Sequence, residues 1–308
     1  MNSAAAFIAV DWGTSNARFA LCDHGGQALE IRQGPGAVAS RGSFAGIFDA
    51  QTAGWRATHG PLPAYLCGMV GSKAGWIEAP YLPAPCDLQA IASAPARVRD
   101  GVFVVPGVRC TNPLGAPDLM RGEETQLLGA SCSGILGEAL HIVCLPGTHT
   151  KWATISGGRL VDFLTTPTGE LFAALCNHTV LVQDNGLPAT HSEAGFGRGL
   201  AQSAVHRGLL LHQLFQARSL RLDGQLAHDG AASWMSGLLI GADVNGALSV
   251  LADRDPRGSV TIIGAPALTA LYARALAQAG RESVEVDGAT ATIAGLAQAF
   301  RQQEPQRS

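Results

Sequence analysis

The first apolar run, Phe7-Ile8-Ala9-Val10, stops at Asp11-Trp12-Gly13-Thr14-Ser15-Asn16 and resumes from Ala17 to Cys22. Short apolar runs bounded by Gly and Thr predict a buried strand, a turn and a second strand, and His24-Gly25-Gly26 predicts a hairpin turn into a third. The same pattern returns at His141-Ile142-Val143-Cys144-Leu145, followed by Pro146-Gly147-Thr148-His149-Thr150-Lys151, Trp152 to Ile155, Gly157-Gly158, and Leu160 to Leu164. The copies start 134 residues apart, at Phe7 and His141, too far for a solenoid repeat and suited to a duplicated domain. The competing reading is that any two β-meanders resemble each other.

Later segments alternate between helix and strand periods. Apolar positions from Gly199 to Leu220 predict an amphipathic helix, and Trp234 to Leu251 a second. Val260 to Ile263 predicts a buried strand, Gly264 a turn, and Pro266 the first residue of a helix ended by Gly280. Val284 to Val286 predicts a strand and Thr290 to Phe300 a helix; Pro80 to Pro95 reads as an irregular excursion, and the polar tail after Arg301 as frayed. Together these predict an α/β protein of two halves, cut at 138/139 into 1–138 and 139–308, with the helix at about 290–302 near the domain interface.

Composition narrows the class. A chain of 308 residues, 47% hydrophobic, supports one large core or two moderate ones. Only 15% of residues are charged, the formal net charge is -3 and no basic block occurs, so nucleic acid is not an expected partner. The seven cysteines are odd in number and scattered, without a Cys-x-x-Cys pair, which disfavours a structural zinc or a disulfide framework and suits a reducing cytoplasm. Asp11 interrupts the first apolar run before it reaches a signal or spanning length, so no membrane role is expected. A homodimer is the default expectation for a soluble chain of this size.

Candidate chemistry begins at the two glycine turns. Glycine lets backbone amides approach an anion, and flanking hydroxyls add donors without charge. Asp11 beside the first turn suits a magnesium ion, which takes one or two carboxylates in phosphate sites, and Lys151 in the second suits phosphate charge. Each turn alone is equally an ordinary turn, and Asp11 equally a turn cap. No complete G-x-x-x-x-G-K-[ST] loop is present, and Gly195-Phe196-Gly197-Arg198-Gly199 lacks the last glycine of a dinucleotide fingerprint.

Between the repeats, Asp118-Leu119-Met120-Arg121-Gly122-Glu123-Glu124 leads into a helical pattern with both glutamates in its first turn. The helix dipole explains such a pair structurally. The functional reading is a carboxylate that takes the proton of an attacking sugar hydroxyl, with Arg121 suited to bind a substrate carboxylate or, alternatively, to pair with a glutamate. The segment Cys67 to Tyr81 offers Ser72 and Lys73 as donors and Trp76 as a wall round a small polar ligand, or serves merely as a crossing loop.

Asp11 to Asn16 and Gly147 to Trp152 resemble the two phosphate motifs of the sugar kinase, heat-shock ATPase and actin superfamily. The ordered set Gly68-Met69-Val70-Gly71-Ser72, Gly75-Trp76, Met120 to Gln126, Leu145 to His149 and Thr168-Gly169-Glu170-Leu171-Phe172 resembles 2-dehydro-3-deoxygalactonokinases over almost the whole chain. The resemblance implies a duplicated, actin-like (ribonuclease H-like) fold with a cleft between the halves. It implies ATP and Mg²⁺ as cofactors, and transfer of the γ-phosphoryl group to the C6 hydroxyl of 2-dehydro-3-deoxy-D-galactonate in galactonate breakdown.

Carried over by position, it makes Asp11 the metal-associated carboxylate, Gly13, Thr14 and Ser15 the first phosphate loop, and Gly147, Thr148, His149, Thr150 and Lys151 the second. Gly264 and Ala265 become the adenosine-side turn, and Gly68, Met69, Ser72, Lys73, Trp76 and Arg121 the substrate side. Related carbohydrate kinases have Gly-Asp-Gln where this chain has Gly122-Glu123-Glu124, so Glu123 is the first choice of base, with Glu124 or Asp118 in reserve. Thr168, Glu170 and the helix from Thr290 resemble elements that couple the halves. The alternatives are a kinase of another sugar or keto-deoxy acid, and a non-catalytic ATP- or sugar-sensing module.

Overall fold

A computed structural model describes residues 4–182, 192–227, 230–255 and 258–303. The chain divides into two compact units, Met1–Leu140 with Thr154–Phe163 and Asp287–Ser308, and His141–Ala153 with Leu164–Val286.

The first unit begins with β1 (Ala5–Trp12), β2 (Asn16–Asp23), β3 (Ala28–Pro35), α1 (Phe44–His59) and β4 (Ala64–Gly68). Short elements follow: β5 (Tyr81–Pro83), β6 (Cys86–Asp87), α2 (Leu88–Ser93), β7 (Ala96–Arg99), β8 (Val102–Val104), β9 (Gly107–Thr111), β10 (Pro117–Met120) and α3 (Glu123–Cys132). The main sheet runs β3-β2-β1-β4-β8-β7, and a small sheet runs β10-β9-β5. β2 is antiparallel to β1, whereas β4 is parallel to both β1 and β8. Side chains alternate across β1: Ile8, Val10 and Trp12 pack with Phe44, Phe48 and Trp55 of α1.

The second unit is built on β11 (His141–Leu145), β12 (Thr150–Ser156) and β13 (Arg159–Thr166), followed by α4 (Thr168–His178), α5 (Glu193–Val205), α6 (Leu210–Leu214), α7 (Gln216–Leu222) and α8 (Ala231–Val250). It closes with β14 (Val260–Gly264), α9 (Pro266–Gln278) and β15 (Ser283–Asp287); the last helix, α10 (Gly288–Gln303), belongs to the first unit. The division falls inside β12 and β13. The second large sheet runs β15-β14-β11-β12-β13-β6, with β14 parallel to β11.

The strand orders carry the duplication. β3-β2-β1-β4-β8 in one sheet corresponds to β13-β12-β11-β14-β15 in the other, each three consecutive strands side by side with a later strand parallel to the first of them. The duplicated α/β fold expected from the repeat is therefore the one observed. A helix apolar on every side must be buried; α8 is such a helix, with Trp234, Met235, Leu238, Leu239 and Val244 in the interior. Helix α5 crosses it at backbone distance: a Cβ on Gly199 would lie 1.8 Å from the Trp234 carbonyl oxygen. The Gly195 to Gly199 run is thus a helix-packing feature.

Three expectations change. The single helix from Gly199 to Leu220 is three helices, α5 to α7: the chain turns at Gly208 with φ +91° between α5 and α6 and breaks again at Phe215 before α7. The excursion from Pro80 to Pro95 contains β5, β6 and α2, the last capped by Asp87 accepting from the Gln89 amide at 2.8 Å. The two-way division is not a single cut at 138/139. Helix α10 packs on α3 and β1, and its Phe300 ring stacks on Phe7 at 4.7 Å, which places it with the first unit. Residues 304–308 of the polar tail lie outside the described residues.

Candidate active site

In the first unit the site grows from the ends of two parallel strands. Asp11, at the end of β1, registers with Arg18 on β2 and Cys67 on β4. The Cys67 thiol donates to Asp11 Oδ1 at 3.8 Å. Asp11 shares a cavity of about 10 Å³ with Ala289 and Thr292 in the first turn of α10, where helix amides favour negative charge. Burial pushes the Asp11 carboxyl up from its ordinary value, against the opposing pull of Arg18 and the Cys67 hydrogen bond. Burial pushes the Cys67 thiol well up too, reinforced by the charges of Asp11 and Glu124, so sulfur stays protonated.

Glycine brings α3 to this point. Gly68 has φ +85° and Gly122 has φ +110°, both left-handed conformations that a side chain resists. A Cβ on Gly122 would stand 3.3 Å from Gly68 Cα, and one on Gly68 would stand 2.7 Å from the Trp12 carbonyl oxygen. The start of α3 is therefore seated directly beside the ends of β1 and β4. Glu123 is half-buried and accepts from the Arg121 amide at 3.1 Å. Glu124 is fully buried, and both of its oxygens accept from the Gly122 amide, at 2.9 and 2.7 Å. Burial, then the neighbouring charge of Glu123, pushes the Glu124 carboxyl up to about 7. Asp118 serves the β9–β10 hairpin, accepting from Asn112 Nδ2 at 3.3 Å and the Leu119 amide at 2.8 Å.

The first glycine turn has a defined polarity. The carbonyl oxygens of Gly13, Thr14 and Ser15 accept from the amides of Ala37, Val38 and Gly36 at 2.9, 3.2 and 3.2 Å. A carbonyl and the following N–H point opposite ways in a trans peptide, so the amides of Thr14, Ser15 and Asn16 face away from that strap, and all three residues are exposed.

The loop after β4 folds back on itself. Met69–Gly71 makes a 3₁₀ turn, the Ser72 amide returns to the Met69 carbonyl, and the Trp76 amide reaches the Val70 carbonyl at 2.8 Å. Lys73 is exposed. Trp76 is partly taken up by packing, against Phe48 at 5.5 Å and under the Arg99 guanidinium at 5.3 Å. Arg121 holds the loop's far side: Nη2 donates to the Ala79 carbonyl at 2.7 Å, Nε to Tyr81 Oη at 3.2 Å, and the guanidinium stacks on the Tyr81 ring at 4.1 Å. It is thus engaged with this loop and not in a surface pair with either glutamate.

In the second unit, the turn after β11 carries exposed Thr148 and His149. The Glu170 amide donates to the Thr148 carbonyl at 2.9 Å, and His149 Nε2 lies 2.7 Å from Glu170 Oε2. Gly264, at the end of β14, abuts Pro146: a Cβ there would lie 3.3 Å from Pro146 Cγ. The turn at Gly264 and Ala265 therefore adjoins the Gly147 turn. Two members of the expected phosphate loop turn inward. Thr150 is fully buried with its hydroxyl 2.8 Å from Tyr272 Oη. Lys151 is buried with Nζ 2.9 Å from Thr165 Oγ1. Both already belong to β12, whose residues are buried on both faces.

Sequence reading passed over Asp243. It is the one ionisable residue of α8, 6% exposed, and accepts from Trp152 Nε1 at 2.9 Å, Thr168 Oγ1 at 2.7 Å and Tyr272 Oη at 2.7 Å. Burial raises its carboxyl above the ordinary value, and these donors oppose the rise. A lone carboxylate in an otherwise apolar helix was the available signal.

A family model described as 2-keto-3-deoxy-galactonokinase matches residues 11–299. The chain belongs to that family. It is 35% identical to the 2-dehydro-3-deoxygalactonokinase of Escherichia coli, over 95% of this chain and 96% of that one. A Rhizobium meliloti protein assigned the same activity is 36% identical, over 98% of each chain. A crystal structure of a protein from Sinorhizobium meliloti, assigned the same activity, superposes with TM-score 0.88 at 34% identity, covering 97% of this chain and 99% of that one. An activator of 2-hydroxyisocaproyl-CoA dehydratase from Clostridium difficile, with bound ADPNP, shares the fold at TM-score 0.53 and 11% identity, over 98% and 97% of the two chains. The protein is accordingly an ATP-using kinase of a keto-deoxy sugar acid in galactonate catabolism. That sets aside a non-catalytic sensing module. Among the described residues, no helix is long and apolar enough to cross a membrane.

Proposed function

We propose that the protein transfers the γ-phosphoryl group of ATP to the C6 hydroxyl of 2-dehydro-3-deoxy-D-galactonate, with Glu123 as the base. The observation that carries this reading is the meeting of Asp11, Gly68 and the Gly122-Glu123 turn in one place, a carboxylate at a strand end beside a second, half-buried carboxylate. A base must touch the hydroxyl it deprotonates. Glu123 retains access, whereas Glu124 is sealed and braces the turn.

Asp11 suits a magnesium ion: it is a hard oxygen donor whose burial leaves its charge under-compensated. The adjacent Cys67 is held as a neutral thiol and does not compete as a ligand. Asp11 would hold the ion directly or through its waters, and the ion's contribution is to neutralise charge on the transferring phosphoryl group. In the first unit the amides of residues 14–16 serve phosphate; in the second unit the Gly147-Thr148-His149 turn does so, and Gly264-Ala265 meets the adenosine. Gly68, Met69, Ser72 and Lys73 hold the sugar acid. Arg121 shapes that loop through Nε and Nη2, and its buried Nη1 is the donor left for the acid's carboxylate.

We further read the protein as cytoplasmic, in keeping with seven free thiols. We read it as a homodimer through the apolar side chains exposed at Leu211, Phe215 and Leu222, which light scattering tests.

The deciding experiment measures coupled ADP release with 2-dehydro-3-deoxygalactonate against its gluconate epimer, and locates the product phosphate by NMR. Preference for the galacto acid with phosphate on C6 is the expected result. Faster turnover of the epimer or of an amino sugar, or phosphate at another carbon, would overturn the assignment.

A further inference from the structure

Asp243 sits in the middle of a buried hydrogen-bond network that joins three other elements of the second unit. One oxygen, Oδ1, accepts from the indole N–H of Trp152, early in β12. The other, Oδ2, accepts from the hydroxyls of Thr168, at the start of α4, and Tyr272, in α9. Each of these elements adjoins a turn read above as part of the nucleotide site. β12 follows the Gly147-Thr148-His149 turn. α4 supplies the Glu170 amide that holds the Thr148 carbonyl at 2.9 Å. α9 follows the Gly264-Ala265 turn.

The directions of the protons follow from donor counting. A phenol has one proton to give. Tyr272 gives its proton to Asp243, so the 2.8 Å contact between Tyr272 Oη and Thr150 Oγ1 is filled by the Thr150 proton. Thr150 is fully buried, so its hydroxyl is committed inward. The phosphate-facing surface is then left to backbone amides and the exposed side chains ahead of it.

We propose that Asp243 is a positioning residue for nucleotide binding: through Tyr272 and Thr150, Trp152, and Thr168 it locks the phosphate turn and the adenosine-side turn into one shape. The proposal rests on the reading of Gly147 to His149 as a phosphate turn. Asp243 touches no reacting atom. It acts by fixing turns whose amides lose affinity when they move by fractions of an ångström.

Two variants break the network differently. Tyr272→Phe deletes one oxygen and keeps the ring that packs beside Trp152, severing Asp243 from Thr150. Asp243→Asn keeps the shape; its carbonyl must face the donor-only indole, so its NH₂ faces Thr168 and Tyr272 and reverses the proton directions. A third variant, Gly147→Val, tests the underlying reading. A Cβ on Gly147 meets nothing closer than the His149 carbonyl oxygen at 4.0 Å, so the first side-chain atom has room while the branched methyls crowd a bound phosphate.

The measurements are the Kd of a non-hydrolysable ATP analogue by calorimetry, the KM values for ATP and for the sugar acid, and Tm. Tyr272→Phe should weaken analogue binding and raise the ATP KM at least fivefold, leaving the sugar acid KM within twofold. Asp243→Asn should do the same or more. If Tyr272→Phe lowers Tm but leaves analogue affinity within twofold of the parent, the network is merely structural and the proposal fails, whatever Asp243→Asn does. If both KM values rise together, the effect is global and it fails also. If Gly147→Val leaves analogue affinity intact, the phosphate-turn reading is the part that falls.

Discussion

Glu124 grips the amide of Gly122 with both carboxylate oxygens, at 2.9 and 2.7 Å, and so closes the first turn of α3 from inside. The geometry ties the stability of the turn to the charge of a carboxyl pushed up to about 7. In the unfolded chain the same group releases its proton near its ordinary value of 4.5. The folded state therefore keeps a proton that the unfolded state has lost between pH 4.5 and 7, and stability falls as pH rises through that window. The size is about 3 kcal/mol at most. Glu124→Gln should remove this slope, so that its stability deficit against the parent shrinks from pH 4.5 to 7.5 in urea titrations. A constant deficit would rule the linkage out.

Glu123→Gln should reduce kcat about 100-fold or more, the usual range for losing a general base, while ATP affinity stays within twofold. The two side chains are isosteric, so Tm should hardly move. A large Tm loss with modest loss of turnover would make Glu123 a helix-capping residue.

Asp11→Asn separates function from stability. Its carboxyl is raised by burial, so the native fold gains nothing from ionising it. The amide should leave stability unchanged or raise it by about 1 kcal/mol, the pattern of a site kept for function, with turnover lost and the magnesium dependence of the residual rate shifted upward. Thermal melts and a metal titration of the rate read both.

Gly122→Ala places a side chain in the left-handed region at φ +110° and 3.3 Å from Gly68 Cα. The cost should be about 1–3 kcal/mol, read as a lower denaturant midpoint. Turnover should fall further than stability, because the displaced turn carries Glu123.

Much of this architecture was legible in the order of residues. An apolar run, a Gly-Thr turn and a second run mark a strand pair wherever they occur, and their recurrence at His141 announced the duplicated sheet. The turns at Gly13 and Gly147 were legible because glycine and small hydroxyl residues at strand ends serve few other purposes. The partition was not, since Phe300 finds Phe7 across nearly the whole chain and no local pattern encodes that pairing. Thr150 and Lys151 read as part of a loop because polar residues usually stay outside, yet β12 is covered on both faces and takes them inward. Asp243 escaped for the converse reason: periodicity describes the apolar face of a helix, and in α8, apolar all round, the only signal was the lone carboxylate itself.

The stacking of Phe300 on Phe7 also bears on biosynthesis. β1 finds its cover in α10, and every segment of the second unit lies between them in the chain and is translated before that helix begins. On the ribosome the later unit is complete before the earlier one. Until α10 emerges, the side of β1 that carries Phe7 lacks the ring that stacks on it.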